Sequence, residues 1–198
     1  MSLILTEQAR KYEEIKEAQE VVFDLWNEYW LEYSAFNTWQ FWFNVLMIIL
    51  PLIILCLFID RKRLFLLLFF GFNIHVWTAY IDSMATRANY MGYPYKAIPT
   101  LPIHFGMDSS LVPVLFIFMY QYTLKKKANF YLHSLILIAL ISFLLKPFFV
   151  EIHLFYLSKG TNYFYIFLGY VLITIFSKGI VEFFLRLQSK SELSNTKT

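Results

Sequence analysis

The sequence predicts an all-α integral membrane bundle of about five transmembrane helices, preceded by an amphipathic N-terminal helix. Of the 198 residues, 59% are hydrophobic and only 16% are charged, whereas globular domains are about 45–50% apolar and about 25% charged. Apolar runs also recur along the chain at close to the roughly 20 residues that a helix needs to cross the hydrocarbon core. Lipid must therefore solvate much of this apolar surface.

Residues 1–37 are predicted to form an amphipathic acidic helix outside the hydrocarbon core. One face carries the apolar residues Ile15, Ala18, Val22, Leu25, Tyr29 and Phe36. Another face carries Glu13, Glu17, Glu20, Asp24 and Glu28. Because such charges are costly among lipid tails, we expect the helix to lie against the membrane surface or the bundle. An arm that binds a membrane-protein partner, or a second copy of the chain, is the alternative.

Residues 38–187 are predicted to form the transmembrane domain. Its five spans are expected at 39–59, 64–81, 102–124, 130–150 and 163–180. The third span differs from the others because its first two turns are polar. Residues 188–198 are predicted to be a disordered polar tail.

The basic residues predict the orientation of the bundle. In a five-span arrangement, three clusters of Lys and Arg fall on one side, within 61–63, 125–127 and 178–190. The other side has only Arg87, Lys96 and Lys159. Because cytoplasmic loops carry the excess of Lys and Arg, the N-terminus is predicted outside and the C-terminus inside.

A group of ionisable residues at the outer ends of the spans forms the candidate binding site: His75, Asp82, His104, Asp108, Lys146 and Glu151. Charged groups within a membrane are expensive and usually face a cavity or a partner. The helical rise of about 1.5 Å per residue predicts a shallow level and a deeper level among them. At the deeper level, Asp108 and Lys146 are expected to form a buried ion pair, with His75 as a third member.

The segment "YPYKAIPTLPIHFGMD", residues 93–108, is predicted to be a rigid outer loop. Its three prolines restrict the backbone, and it leads into the helix that carries His104 and Asp108. Three interpretations of the polar group remain open: a network that fixes helix packing, a site for a solute, ion or proton, and a catalytic or metal site. The spacing is not specific to zinc, so neither a metal nor a cofactor is predicted.

Several segments resemble a family of small, uncharacterised multi-pass membrane proteins of Bacillus- and Clostridium-type bacteria. They are "DRKRLFLLLFFG", "YIDSMATRANYMGYPYKAIPTLPIHFGMDSSLVPVLFIFMYQY" and "SFLLKPFF". The residues that match the family pattern are Asp60, Arg63, Asp82, Pro99, Pro102, Asp108, Pro113, Gln121, Lys146 and Pro147. The resemblance implies the plasma membrane of a Gram-positive bacterium. It implies no activity.

Three functions are compatible with the sequence. The first is a non-enzymatic membrane protein with an outward-facing polar pocket for a small solute, ion or lipid head group. The second is an intramembrane enzyme that acts on lipid or cell-envelope substrates through the His and Asp residues. The third is a structural or assembly subunit that holds a partner through its N-terminal helix. Nucleic-acid binding is not predicted, because the basic residues do not form a single patch or stripe.

Overall fold

The computed structural model describes the backbone of residues 2–195 and the side chains of residues 6–190. It confirms an all-α bundle with one very small sheet. The elements are α1 (Ser2–Tyr33), α2 (Trp39–Phe58), α3 (Leu64–Arg87), β1 (Met91–Gly92), α4 (Val112–Lys126), α5 (Phe130–Leu140), α6 (Lys146–Glu151), β2 (Tyr156–Leu157) and α7 (Tyr163–Asn195). A π-helical turn, Met107–Leu111, precedes α4, and a second one, Ile141–Leu145, joins α5 to α6 without a break.

Four stretches of helix are long and apolar enough to cross a membrane: Trp39–Phe58, Arg61–Arg87, Phe130–Glu151 and Tyr163–Lys190. They correspond to four of the five predicted spans and identify the chain as a membrane protein. The last helix continues to Asn195, which is beyond the predicted end of its span and within the segment expected to be a disordered tail. Residues 196–198 of that segment lie outside the described residues.

The predicted third span is not among these four stretches. Regular helix begins at Phe105 rather than at Pro102, and every residue from 104 to 121 is buried or half-buried. The surrounding helices cover this segment, so it can be more polar than a helix that faces lipid. Its buried polar side chains reach neighbouring backbone: Ser110 donates to the Ile48 carbonyl at 2.7 Å, and Gln121 donates to the Phe58 carbonyl at 3.1 Å.

The same contacts bring the basic segments of the chain to one end of the bundle. The Gln121 side chain accepts a hydrogen bond from the Asp60 backbone N–H, at 2.6 Å, so residues 61–63 lie close to the end of α4. Lys178 of α7 donates to the Tyr120 hydroxyl at 3.0 Å. We call this end the basic end.

The opposite end of the bundle is closed by loops and by part of α1. β1 pairs antiparallel with β2, Met91 opposite Leu157, and so ties the loop after α3 to the loop after α6. The side chains of residues 6–25 in α1 are all exposed. Only the C-terminal part of α1, around Trp26 and Trp30, packs against this loop end.

Candidate functional site

The centre of the candidate site is a chain of hydrogen bonds through three buried side chains. Lys146, at the start of α6, donates to the Tyr93 hydroxyl at 2.9 Å. Tyr93 in turn donates to Oδ1 of Asp82 on α3 at 2.7 Å. Their exposed fractions are 2% for Lys146, 1% for Tyr93 and 5% for Asp82. A phenol can accept from an ammonium while it donates to a carboxylate, so Tyr93 links the two opposite charges.

Asp108 lies beside this chain and is completely buried. Its carboxyl group lies near that of Asp82, and the two interact electrostatically. Ionised carboxylates only accept hydrogen bonds, and neither oxygen of Asp108 has a well-aligned donor in the described part of the chain. The backbone N–H of His104 interacts with both carboxyl groups, but outside good hydrogen-bond geometry. Buried polar atoms without partners are rare and call for an explanation.

His104 caps the helix that carries Asp108. Its Nδ1 accepts a hydrogen bond from the Met107 backbone N–H at 3.2 Å, so a neutral ring carries its hydrogen on Nε2. The ring packs against Tyr93 and Phe149, with centroid separations of 5.1 Å and 6.4 Å. The sequence predicts a helix that starts earlier, at Pro102. The prolines before His104 instead belong to irregular loop.

The predicted ion pair between Asp108 and Lys146 is wrong. Among the described residues their charged groups form no salt bridge, because Tyr93 from the outer loop receives the ammonium. His75, the predicted third member, is half-buried and places its Nδ1 2.8 Å from the backbone carbonyl oxygen of Asp108. Glu151 is exposed at the end of α6 and lies outside the cluster.

The two π-helical turns position the charged groups. Asp108 lies within Met107–Leu111, and Lys146 follows directly after Ile141–Leu145. Each turn comes shortly before a proline, Pro113 or Pro147, which has no N–H to donate to the preceding turn. A wider turn relieves this mismatch and alters the direction of the side chains at that point. Single π-helical turns within α-helices are frequent at functional sites.

A cleft of about 120 Å³ adjoins the cluster between α3 and α7. Asp82, Lys146, Thr78 and Thr161 contribute its polar lining, and Tyr170 also lines it. Thr78 lies one helical turn before Asp82, is 4% exposed, and has a hydroxyl group without a hydrogen-bond partner in the described structure. The remaining walls are aromatic and apolar: Ile81, Ala85, Tyr90, Met91, Tyr165, Ile166 and Ile173.

The outer loop that supplies Tyr93 is held on several sides. Asn44 Nδ2 donates to the Tyr95 carbonyl at 3.2 Å, and Trp30 Nε1 donates to the Lys96 carbonyl at 2.9 Å. The Lys96 ammonium lies 3.6 Å from the centroid of the Trp26 ring. The N-terminal helix therefore fastens the loop that closes the site.

Lys96 is also electrostatically linked to the cluster. Burial lowers the pKa of its ammonium to about 8, and the negative charge of Asp82 partly opposes that shift. A lysine with its pKa close to neutral is sensitive to small changes in its surroundings. The charge of Lys96 thus depends on how tightly α1 and the loop cover it.

Comparisons with family models, curated proteins and solved structures find no match to this chain. The resemblance to a family of bacterial membrane proteins therefore remains a prediction. In the described residues, no three His, Cys, Asp or Glu side chains gather closely enough to hold a metal ion.

Tyr93 and Tyr170 also belong to the site, although the sequence did not predict them. Both tyrosines are buried, and the Tyr170 hydroxyl lies within electrostatic reach of Asp82 and Asp108. A signal was present in "YMGYPYK", residues 90–96, where three tyrosines stand at the mouth of a polar cluster. A tyrosine buried in an apolar bundle needs a partner for its hydroxyl, and the nearby carboxyl groups were the available acceptors.

Proposed function

We propose that this chain is a multi-pass plasma-membrane protein, non-enzymatic, whose outward-facing polar pocket binds a small solute, ion or lipid head group. The observation that supports this most directly is the cleft beside Asp82 and Lys146. A network that only locked helices together would have little need of an adjoining cavity or of unpartnered oxygens on Asp82 and Thr78, which line that cavity. A bound polar ligand would satisfy such atoms.

The proposed direction of the pocket follows from the two ends of the bundle. The basic end carries residues 61–63 and 125–127, and the excess of Lys and Arg marks the cytoplasmic side. The pocket lies at the opposite end, together with α1 and the loop of Tyr93. The N-terminus is therefore proposed to be outside and the C-terminus in the cytoplasm. The helix over 105–126 is proposed as a fifth crossing, covered by the other four.

Two glycines of α7 offer a matched test of the pocket. A Cβ atom added at Gly169, which lines the cleft, would meet nothing within 4 Å, and the same is true at Gly179, which lies away from it. Gly169→Leu should fill the cleft, and Gly179→Leu is the control. The full chain, purified into lipid nanodiscs, is screened with small solutes, salts and short-chain lipids by thermal unfolding. At least one compound should stabilise the wild type and Gly179→Leu but not Gly169→Leu. Equal responses in all three proteins, or none in any, would contradict a binding pocket.

A structural or assembly role is a second candidate, and the exposure of α1 favours it. The side chains of residues 6–25 are all exposed, although they include the apolar residues Ile15 and Val22. Deletion of residues 1–24 leaves Trp26 and Trp30 in place. If α1 holds a partner, this deletion should abolish a complex that purifies with the full chain. A complex of unchanged composition would exclude this role for α1.

A further inference from the structure

The unpartnered atoms around the cleft define what a ligand has to supply. Oδ2 of Asp82, a residue that lines the cleft, lacks a donor among the described residues, and an ionised carboxylate can only accept. The Thr78 hydroxyl, also without a partner, can accept as well. The unmet need is for hydrogen-bond donors, which an ammonium group supplies in several directions.

The cations already present are engaged elsewhere. Lys146 donates to Tyr93, and its ammonium lies 4.2 Å from the ring centroid of Phe155. The ammonium of Lys96 lies over the ring of Trp26. Neither lysine donates to the free oxygen of Asp82 in the described structure. One carboxylate oxygen therefore remains for an incoming cation, next to the cleft.

The walls of the cleft select for a ligand with a hydrocarbon part. Tyr90, Tyr165 and Tyr170 contribute aromatic rings, and Ile81 and Ile173 contribute aliphatic surface. The faces of aromatic rings attract ammonium groups, while a hydrated metal ion gains nothing from aliphatic walls. An anionic ligand would face the carboxyl group of Asp82, and like charges repel. The ammonium of Lys146 also lines the cleft, but it is already held by the Tyr93 hydroxyl and the Phe155 ring.

We infer that the ligand of this cleft is a small organic cation, an ammonium group on a short apolar chain, which donates to Asp82 and Thr78 and lies against the tyrosines. This inference rests on the proposed pocket and specifies its ligand class. A volume of about 120 Å³ suits a chain of a few carbon atoms.

Three probes of nearly equal size test whether the ligand must be positively charged. They are n-butylammonium, n-butanol and n-butyrate, used at equal concentration and ionic strength at pH 7. The full chain in nanodiscs is titrated with each probe, and thermal unfolding gives the apparent affinity. The proteins compared are the wild type, Asp82→Asn, Gly169→Leu and the controls Glu151→Gln and Gly179→Leu. The amide in Asp82→Asn keeps an acceptor for Tyr93, so the fold should be retained.

We expect n-butylammonium to stabilise the wild type and both controls, and n-butanol and n-butyrate to have little effect. Asp82→Asn should weaken the apparent affinity for n-butylammonium at least about tenfold, because a charge-assisted hydrogen bond is lost. If Asp82→Asn does not fold, Gly169→Leu still tests the site, because it leaves the carboxyl group unchanged. Equal stabilisation of Gly169→Leu would show a membrane effect and overturn the inference. Binding of n-butanol or n-butyrate in the cleft in place of the amine would contradict the inference that the ligand is a cation, but the pocket itself would stand. If none of the three probes binds, the inference that the ligand is a small organic cation is wrong. The compound screen decides separately whether the pocket exists.

Discussion

Lys146 and Asp82 are joined through a single hydroxyl group, that of Tyr93, which accepts from the ammonium at 2.9 Å and donates to the carboxylate at 2.7 Å. The two charges belong to different helices, α6 and α3, and the phenol belongs to the outer loop. The site and the loop that closes it therefore depend on each other. Displacement of Tyr93 would leave two buried charges without their partner.

Tyr93→Phe should destabilise the protein even though it removes only one oxygen atom. The ring would still pack against Phe155, while Lys146 and Asp82 would each lose a hydrogen bond. Because hydrogen bonds to charged groups contribute about 1.5–3 kcal/mol each, the loss of two predicts a decrease of about 3–6 kcal/mol in the free energy of unfolding. Unfolding in mixed detergent micelles measures this loss. Tyr80→Phe is the control, since Tyr80 is 64% exposed on the same helix as Asp82. Equal stability of the two variants would show that the bridge contributes nothing.

Lys146→Met and Asp82→Asn should be coupled. Once one charge is gone, removal of the other should be less damaging, and the double variant should be more stable than the sum predicts by about 1–3 kcal/mol. A second cycle, Lys146→Met with Glu151→Gln, should be additive, because Glu151 is exposed. The same unfolding measurement serves both cycles. Additivity in the first cycle would mean that Tyr93 does not transmit an interaction between the two charges.

Lys96 should make stability depend on pH on the alkaline side. Burial lowers its pKa in the folded state to about 8, from 10.5. Between these values the unfolded chain binds more protons than the folded one, so the free energy of unfolding rises with pH in that window. Below about pH 8 Lys96 is protonated in both states, so its contribution to the free energy of unfolding no longer changes with pH. The difference in unfolding free energy between the wild type and Lys96→Met isolates this contribution from the tyrosines. It should shift in favour of the wild type from pH 7.5 to 9.5, and a shift in the opposite direction would contradict the assignment.

Accessibility of introduced cysteines should show N-out, C-in topology. Cys56 is exposed on α2, so the background is Cys56→Ser. Lys159→Cys lies at the pocket end and should react with an impermeant thiol reagent in intact cells. Lys126→Cys lies at the basic end and should react only after the membrane is opened. The reverse pattern would place the pocket on the cytoplasmic side.

The apolar runs were sufficient to predict four of the five bundle helices, because a helix that faces lipid must be apolar along its whole length. The helix over 105–126 was harder to delimit. Its polar residues, such as Asp108 and Gln121, are covered by other helices rather than by lipid, so hydropathy marks its ends poorly. The start at Phe105 depends on the cap formed by His104. A histidine cap has no strong sequence signature.

The composition of the site was predictable in part. Helix length placed Asp82, Asp108 and Lys146 near the same end of the bundle, and the structure brings all three together. The pairing could not be derived, because depth along a helix does not say which side chain lies between two others. Tyr93 comes from a loop whose path is set by the β1–β2 pair and by α1, both of which are long-range contacts. Glu151 is exposed rather than part of the cluster, because depth along a helix does not fix which way a side chain faces.

The most direct test of the central claim, that the cleft beside Asp82 is a binding site, is an experimental structure of the protein in a lipid bilayer. An antibody fragment would provide the necessary mass, and wild type and Gly169→Leu would be compared. We predict density for a small molecule between α3 and α7, in contact with Asp82 and Thr78, in the wild type and not in Gly169→Leu. An empty cleft in the wild type, with Lys146, Tyr93 and Asp82 joined as described and the stabilising compound from the screen present at high concentration, would contradict the claim and leave the cluster a packing device.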